Sequence, residues 1–156
     1  MKSVLRTILT LAALMLVLPA QPVLARPGPA RHALVHPQSG LAVIPLSVRG
    51  HHFRVELART PAEQQKGLMF RQAMGANEGM LFPEDSPRRV AFWMRNTILP
   101  LDIVFIGTDR RILNIVNAIP YDETPLPSAG PVSAVLELNA GRTKALGIKV
   151  GDKVEW

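Results

Sequence analysis

Apolar residues that recur at every second position, in runs too short for a helix, are what most narrows the folds open to this chain. From His52 onward, Phe53, Val55 and Leu57 alternate with Arg54 and Glu56, as expected of a strand with one buried face. Val132, Ala134, Leu136 and Leu138 repeat the pattern against Ser133, Val135 and Glu137. Between these runs, residues 79–82, 90–94, 101–106 and 112–118 read as further strands, with a hairpin turn at 107–110. Pro83 is expected to end its strand and 83–89 to form a polar loop, while Gly151 and Asp152 turn the chain into a last strand. Six or seven short strands in about a hundred residues predict a mainly β fold, a compact sandwich or barrel.

Two short helices interrupt the strands. Thr60, Pro61 and Glu63 supply an N-cap, a pre-set first helical residue and the third-position acid of a capping box. They predict a helix from 61 to about 70 that buries Leu68. Asn139 predicts the cap of a second helix ending near 146, with Gly147 as its stop. Four prolines between 120 and 131 predict a long irregular loop.

The N-terminal region carries a targeting signature. Lys2 and Arg6 precede an apolar run from Ile8 to Leu18, and Val23-Leu24-Ala25 then places small residues at a cleavage site. The run is about eleven residues where spanning a bilayer needs roughly 20. The expectation is a signal peptide over 1–25 and a periplasmic or secreted product without stable membrane insertion. Prolines at 27, 29, 37 and 45 make 26–50 a flexible leader, although 41–48 is apolar enough to pair at a sheet edge, and 51–156 is expected to be one domain. With no cysteine, an exported chain must stand on its core alone. Beyond the expected signal peptide, residues 26–156 carry 16 of the 18 basic residues against 12 acidic ones, a net charge of +4. These charges are scattered, with only Arg88-Arg89 and Arg110-Arg111 adjacent, so they read as solubility and not as a nucleic-acid footprint.

With these elements placed, six ordered blocks stand out: Glu63-x-x-x-Gly67-Leu68-Met69-x-Arg71, Gly79-Met80-Leu81-Phe82, Phe92-Trp93-Met94-Arg95-Asn96-Thr97, Pro100-Leu101-Asp102-Ile103, Val135-Leu136-Glu137-Leu138-x-x-Gly141 and Gly151-Asp152. Together they resemble the DUF192 family of small, often exported prokaryotic domains, with Arg95 where that family more often has lysine. The resemblance covers about residues 52 to 154. It implies a jelly-roll-like β-sandwich and no particular reaction, substrate or cofactor.

The segment from Phe92 to Asp102 is the densest in chemistry. Strand alternation puts Trp93, Arg95 and Thr97 on one face. With Arg71 and Asn96 they form a candidate ligand-binding set, an indole to stack and donors for hydroxyl or carboxylate groups. The structural alternative is that Trp93 fills the core and Arg95 snorkels out of it. Asp102 and Glu137 are candidate catalytic carboxylates, a pair of the kind that works as acid and base in glycoside hydrolysis. The blander account has Asp102 tying down a strand start and Glu137 pairing with a cation such as Arg71 or Arg95. Met69, Met74, Met80 and Met94, with His51 and His52, offer ligands that suit Cu(I). Methionine is also a common core filler, and adjacent strand histidines point apart, so no metal or cofactor is expected.

The favoured reading is a monomeric exported binding module. It recognises a small polar or saccharide-like ligand, or an envelope protein, through Trp93 and the 120–131 loop. The alternative is a hydrolase-like envelope enzyme using Asp102 and Glu137.

Overall fold

The computed structural model describes residues 34–156. The expected signal peptide and the first part of the expected leader lie outside the described residues. The elements run in the order β1 (Leu34–Val35), β2 (Ala42–Val48), β3 (His51–Leu57), α1 (Pro61–Lys66), β4 (Glu78–Arg88), β5 (Ala91–Phe92), β6 (Leu101–Gly107), β7 (Ile112–Ala118), β8 (Leu126–Pro127), β9 (Val132–Asn139), α2 (Arg142–Ala145) and β10 (Val154–Glu155). The fold is mainly β with two short helices, as the alternation predicts.

Eight strands form one mixed sheet in the order β1-β2-β3-β4-β9-β6-β7, with β10 also pairing β2, and β5 and β8 form a second, two-stranded sheet. The large sheet is not closed, so the barrel alternative is out. Its pairs are antiparallel except β3 and β4, which run parallel. A parallel pair cannot be joined by a tight turn, and the stretch between β3 and β4, which holds α1, is the required crossover. The capping box forms as predicted: Thr60 Oγ1 accepts from the Glu63 N–H at 3.3 Å, and the Glu63 carboxylate accepts from the Thr60 N–H at 2.8 Å. The helix stops earlier than predicted, because Gly67 takes a positive φ of 45° and Phe70 one of 62°. Leu68, just past its end, is buried as expected.

Three further expectations are corrected. The leader does not extend to residue 50: β2 pairs with β3 along most of its length, and Leu46 and Val48 are in the core. Pro45 falls between the short stretches where β1 and β10 pair with β2, where a missing N–H donor costs little. Pro83 does not end its strand either. It lies opposite Ala134, and β4 continues through a register irregularity to Arg88, opposite Val132. Finally, Asn139 does not cap α2; its side chain donates to the carbonyls of Met74 and Gly75.

Side-chain alternation splits the core between the two faces of the large sheet. Val55, Leu81, Val104 and Leu136 belong to one cluster, which Ile148 and Val154 help to close. Met80, Phe82, Ile103, Phe105 and Val135 belong to the other, covered by Leu68, Met94, Phe92 and Leu126. Every residue of β6 is buried, as befits a strand covered on both faces. Gly79 is required at its place in β4, since a Cβ there would meet the Glu137 carbonyl oxygen at 2.4 Å.

Candidate functional site

On the second face a cavity of about 270 Å³ opens between the end of α1, the later half of β4 and residues 89–95. Glu137 lies at its inner end. In β9 it stands opposite Met80 of β4 and Ile103 of β6, so its carboxyl enters the apolar cluster that contains Phe82 and Phe105. Glu137 is 5% exposed, and its Oε2 has no hydrogen-bond partner among the described residues. Burial pushes its carboxyl up to about 8, because a charge without partners is costly in apolar surroundings. At neutral pH Glu137 is therefore a neutral acid that can both donate and accept.

Phe92 holds the cavity wall. Its ring meets Phe82 edge-on at 5.1 Å and Phe105 at 6.1 Å between centroids, a favoured aromatic geometry. The next residue, Trp93, is 43% exposed and is not a core residue. The Arg95 guanidinium sits 4.4 Å from the centre of its ring and donates to Glu123 Oε2 at 2.7 and 3.0 Å. Hydrogen bonding to Glu123 holds Arg95 above its ordinary value. Thr97 is buried, and its hydroxyl donates to the Arg95 carbonyl at 3.1 Å, bracing the turn.

Trp93, Arg95 and Thr97 thus line the cavity together with Glu137. Asn96 and Arg71 are not in its walls. Asn96 takes a positive φ of 53°, and its carbonyl accepts from the Phe70 N–H at 2.8 Å, which ends the alternation expected to run on through it. Arg71 is buried in a bidentate pair with Glu56, at 2.8 and 2.9 Å, beside a separate cavity that includes Phe70. The expected ion pair of Glu137 with Arg71 or Arg95 is therefore absent, because both cations are held by other acids.

Asp102 and Glu137 are not a pair. Asp102 lies opposite Leu138 in the β6–β9 ladder, one residue out of step with Glu137, and adjacent strand residues face opposite sides of a sheet. Asp102 is fully buried and accepts from the Gly141 N–H at 2.9 Å, the Thr143 N–H at 2.9 Å, the Thr143 hydroxyl at 2.6 Å and the Asn117 amide. It supplies from β6 the cap that α2 lacks locally, since Gly141 at its N-cap has no side chain to do so. The carboxylate-pair mechanism loses its geometry.

The 120–131 loop is also corrected. It contains β8, paired with β5, and it does not line the cavity. It holds the 89–97 segment instead: Asp122 accepts from the Met94 N–H, Ser128 Oγ from the Val90 N–H, and Glu123 clamps Arg95. The residues that sequence reasoning missed are the cations of the cavity mouth, Lys66, Arg88 and Arg89. The adjacent arginines were visible as a pair, but nothing in one dimension sets them beside the end of α1. Met80 and Met94 are buried in the core, and among the described residues no three histidine, aspartate or glutamate side chains gather as a metal site. Among the described residues, no helix is long and apolar enough to cross a membrane.

The blocks that carry the resemblance extend through this site. The DUF192 family, described as an uncharacterized ACR, matches residues 44–156. A crystal structure of a protein of unknown function from Novosphingobium aromaticivorans is 60% identical, covering 81% of this chain and 94% of that one, with a TM-score of 0.78. A second, from Sinorhizobium meliloti, belongs to a protein whose name proposes a role in transcription regulation. It is 43% identical over 74% of this chain and 94% of that one, with a TM-score of 0.72. None of the curated proteins matches the chain. The chain belongs to the DUF192 family.

Proposed function

We propose that this protein is an exported binding module that takes a small polar ligand into the cavity above Glu137. One observation carries the reading. Glu137, a buried acid with one carboxyl oxygen lacking any partner among the described residues, helps line a solvent-open cavity, whereas buried polar atoms in folded proteins are nearly always hydrogen-bonded. A ligand that fills the cavity would supply the missing partner. Trp93 and Arg95 at the mouth are side chains that commonly dominate binding energy. Export rests on the first 25 residues alone, and mass spectrometry of envelope extract should find an N-terminus close to Arg26.

The test is a ligand screen read by tryptophan emission. A true ligand should perturb Trp93, and Trp93→Phe should remove the signal and weaken binding. Trp156→Phe should change neither, since Trp156 packs elsewhere, against Arg110. A screen in which small polar compounds never alter wild-type emission, while duplex DNA binds saturably at physiological salt, would replace this reading with a nucleic-acid one.

A further inference from the structure

The cavity is asymmetric in charge. At its mouth stand Lys66, Arg88, Arg89 and Arg95, with Glu84 the one acid among them. Arg88 is spent on Glu84 and Arg95 on Glu123. Arg89 donates to the neutral carbonyl of Ala129 at 3.0 Å. Among the described residues, neither Arg89 nor Lys66 has an acidic partner. Two uncompensated cations thus face the same opening. At the inner end the chemistry reverses, to a single carboxyl among apolar side chains with an oxygen left unpartnered.

We propose that the ligand is a small hydroxylated anion of the sugar-acid or sugar-phosphate class, with a hydroxyl at Glu137 and its charged group between Lys66 and Arg89. The proposal rests on the preceding reading of the cavity as a ligand site. A hydroxyl both donates and accepts, so it satisfies a neutral carboxylic acid at both of its functions. Desolvation alone is what raises the Glu137 carboxyl; no cation lies close enough to compensate its charge. An ammonium head would have to expel the carboxyl proton and pass the cationic mouth. A carboxylate or phosphate at the mouth gains charge-assisted hydrogen bonds from cations that have no other acid to meet. The volume of about 270 Å³ is at the small end for ligand sites and suits one sugar ring, which the exposed face of Trp93 can flank.

Isothermal titration of the mature protein with D-glucuronate, glucose 6-phosphate, D-glucose and D-glucosamine tests this. The two anions should bind at least about tenfold tighter than glucose, glucosamine should bind weakest, and the anions' advantage should shrink as salt rises. Lys66→Gln combined with Arg89→Gln should bring the anions down to the affinity of glucose, and Glu137→Leu should abolish binding of all four. Titration at neutral pH in two buffers of different ionisation enthalpy should show no proton release. Glucosamine as the tightest ligand, with about one proton released per molecule bound, would overturn the anion proposal and leave the cavity a ligand site. So would binding by glucose that matches the anions and ignores the double variant. If none of the four binds but other small compounds bind in a Trp93- and Glu137-dependent way, the sugar class is wrong and the site stands. If no small compound binds in that way, both readings fall.

Discussion

Asp102 and Glu137 are both carboxyls buried in the middle of one sheet, on neighbouring strands, yet their surroundings are opposite. Asp102, on one face, is saturated by donors from Asn117, Gly141 and Thr143. Glu137, on the other, is pressed among apolar side chains with Oε2 unsatisfied. Glu56 sharpens the contrast, because it lies in the same cross-strand row as Glu137 with Met80 between them, and Arg71 clamps it from above. Burial alone therefore says little about the role of an acid. Asp102 and Glu56 have partners that exist only in the folded chain and so stabilise it; Glu137 lacks one and lowers stability, and a ligand site explains why it is there.

The largest effect should come from removing the saturated acid. Asp102→Ala strands four donors, three of them at the start of α2, and hydrogen bonds to a charged group are each worth about 1.5–3 kcal/mol. We expect a loss of at least about 4 kcal/mol in urea unfolding. A loss below about 1 kcal/mol would erase the distinction between the two faces. Next comes Arg71→Met, which leaves Glu56 buried without its cation and should cost about 3–5 kcal/mol.

Glu137 should behave in the opposite sense. Its carboxyl titrates near the ordinary 4.5 when unfolded and near 8 when folded. Between those values the folded chain holds a proton that the unfolded chain has released, so stability falls as pH rises. The contribution is fully present below about 4.5 and is lost through 8. From pH 4.5 to 7 the loss is roughly 3 kcal/mol, at about 1.4 kcal/mol per pH unit. Glu137→Gln should flatten that slope, and Glu137→Leu should raise stability at pH 7 by about 1–3 kcal/mol. Destabilisation by Glu137→Leu would mean that the carboxyl is structural.

Much of this architecture was legible in the chain, and the unread parts share a cause. Period-two patterns locate β3 and β9, the turn at 107–110 places the hairpin of β6 and β7, and the capping box locates the start of α1, because those signals depend on residues close in sequence. Pro83 and Pro45 misled because proline is damaging only where its N–H would be paired, and pairing is set by strands far away in sequence. Local sequence points to Asn139 as the cap of α2, whereas Asp102 reaches it from another strand. For the candidate site, alternation within one segment proposes Trp93, Arg95 and Thr97, and all three line the cavity although the backbone turns at Asn96. Lys66 and Arg89 join them only through the crossover that carries α1 over the sheet. One clue about Glu137 was available: Val135 sits two residues before it on the nominally polar face of β9, and both are buried.

The smallest expected effect on stability belongs to Trp93, and its smallness is informative. The indole is 43% exposed and its main polar neighbour, Arg95, is also held by Glu123, so Trp93→Phe should move the unfolding free energy by no more than about 0.5 kcal/mol. Its binding effect should be far larger, because an aromatic at the mouth of a desolvated pocket commonly contributes 1 kcal/mol or more. Measured side by side, the melt and the affinity for a fluorescent-screen hit separate two roles that burial figures leave mixed. A near-native melt with at least about fivefold weaker binding makes Trp93 a recognition residue. Equal losses in both would return it to the ordinary packing of the second face, and the contrast between Glu137 and its two partnered neighbours would then lose its functional meaning.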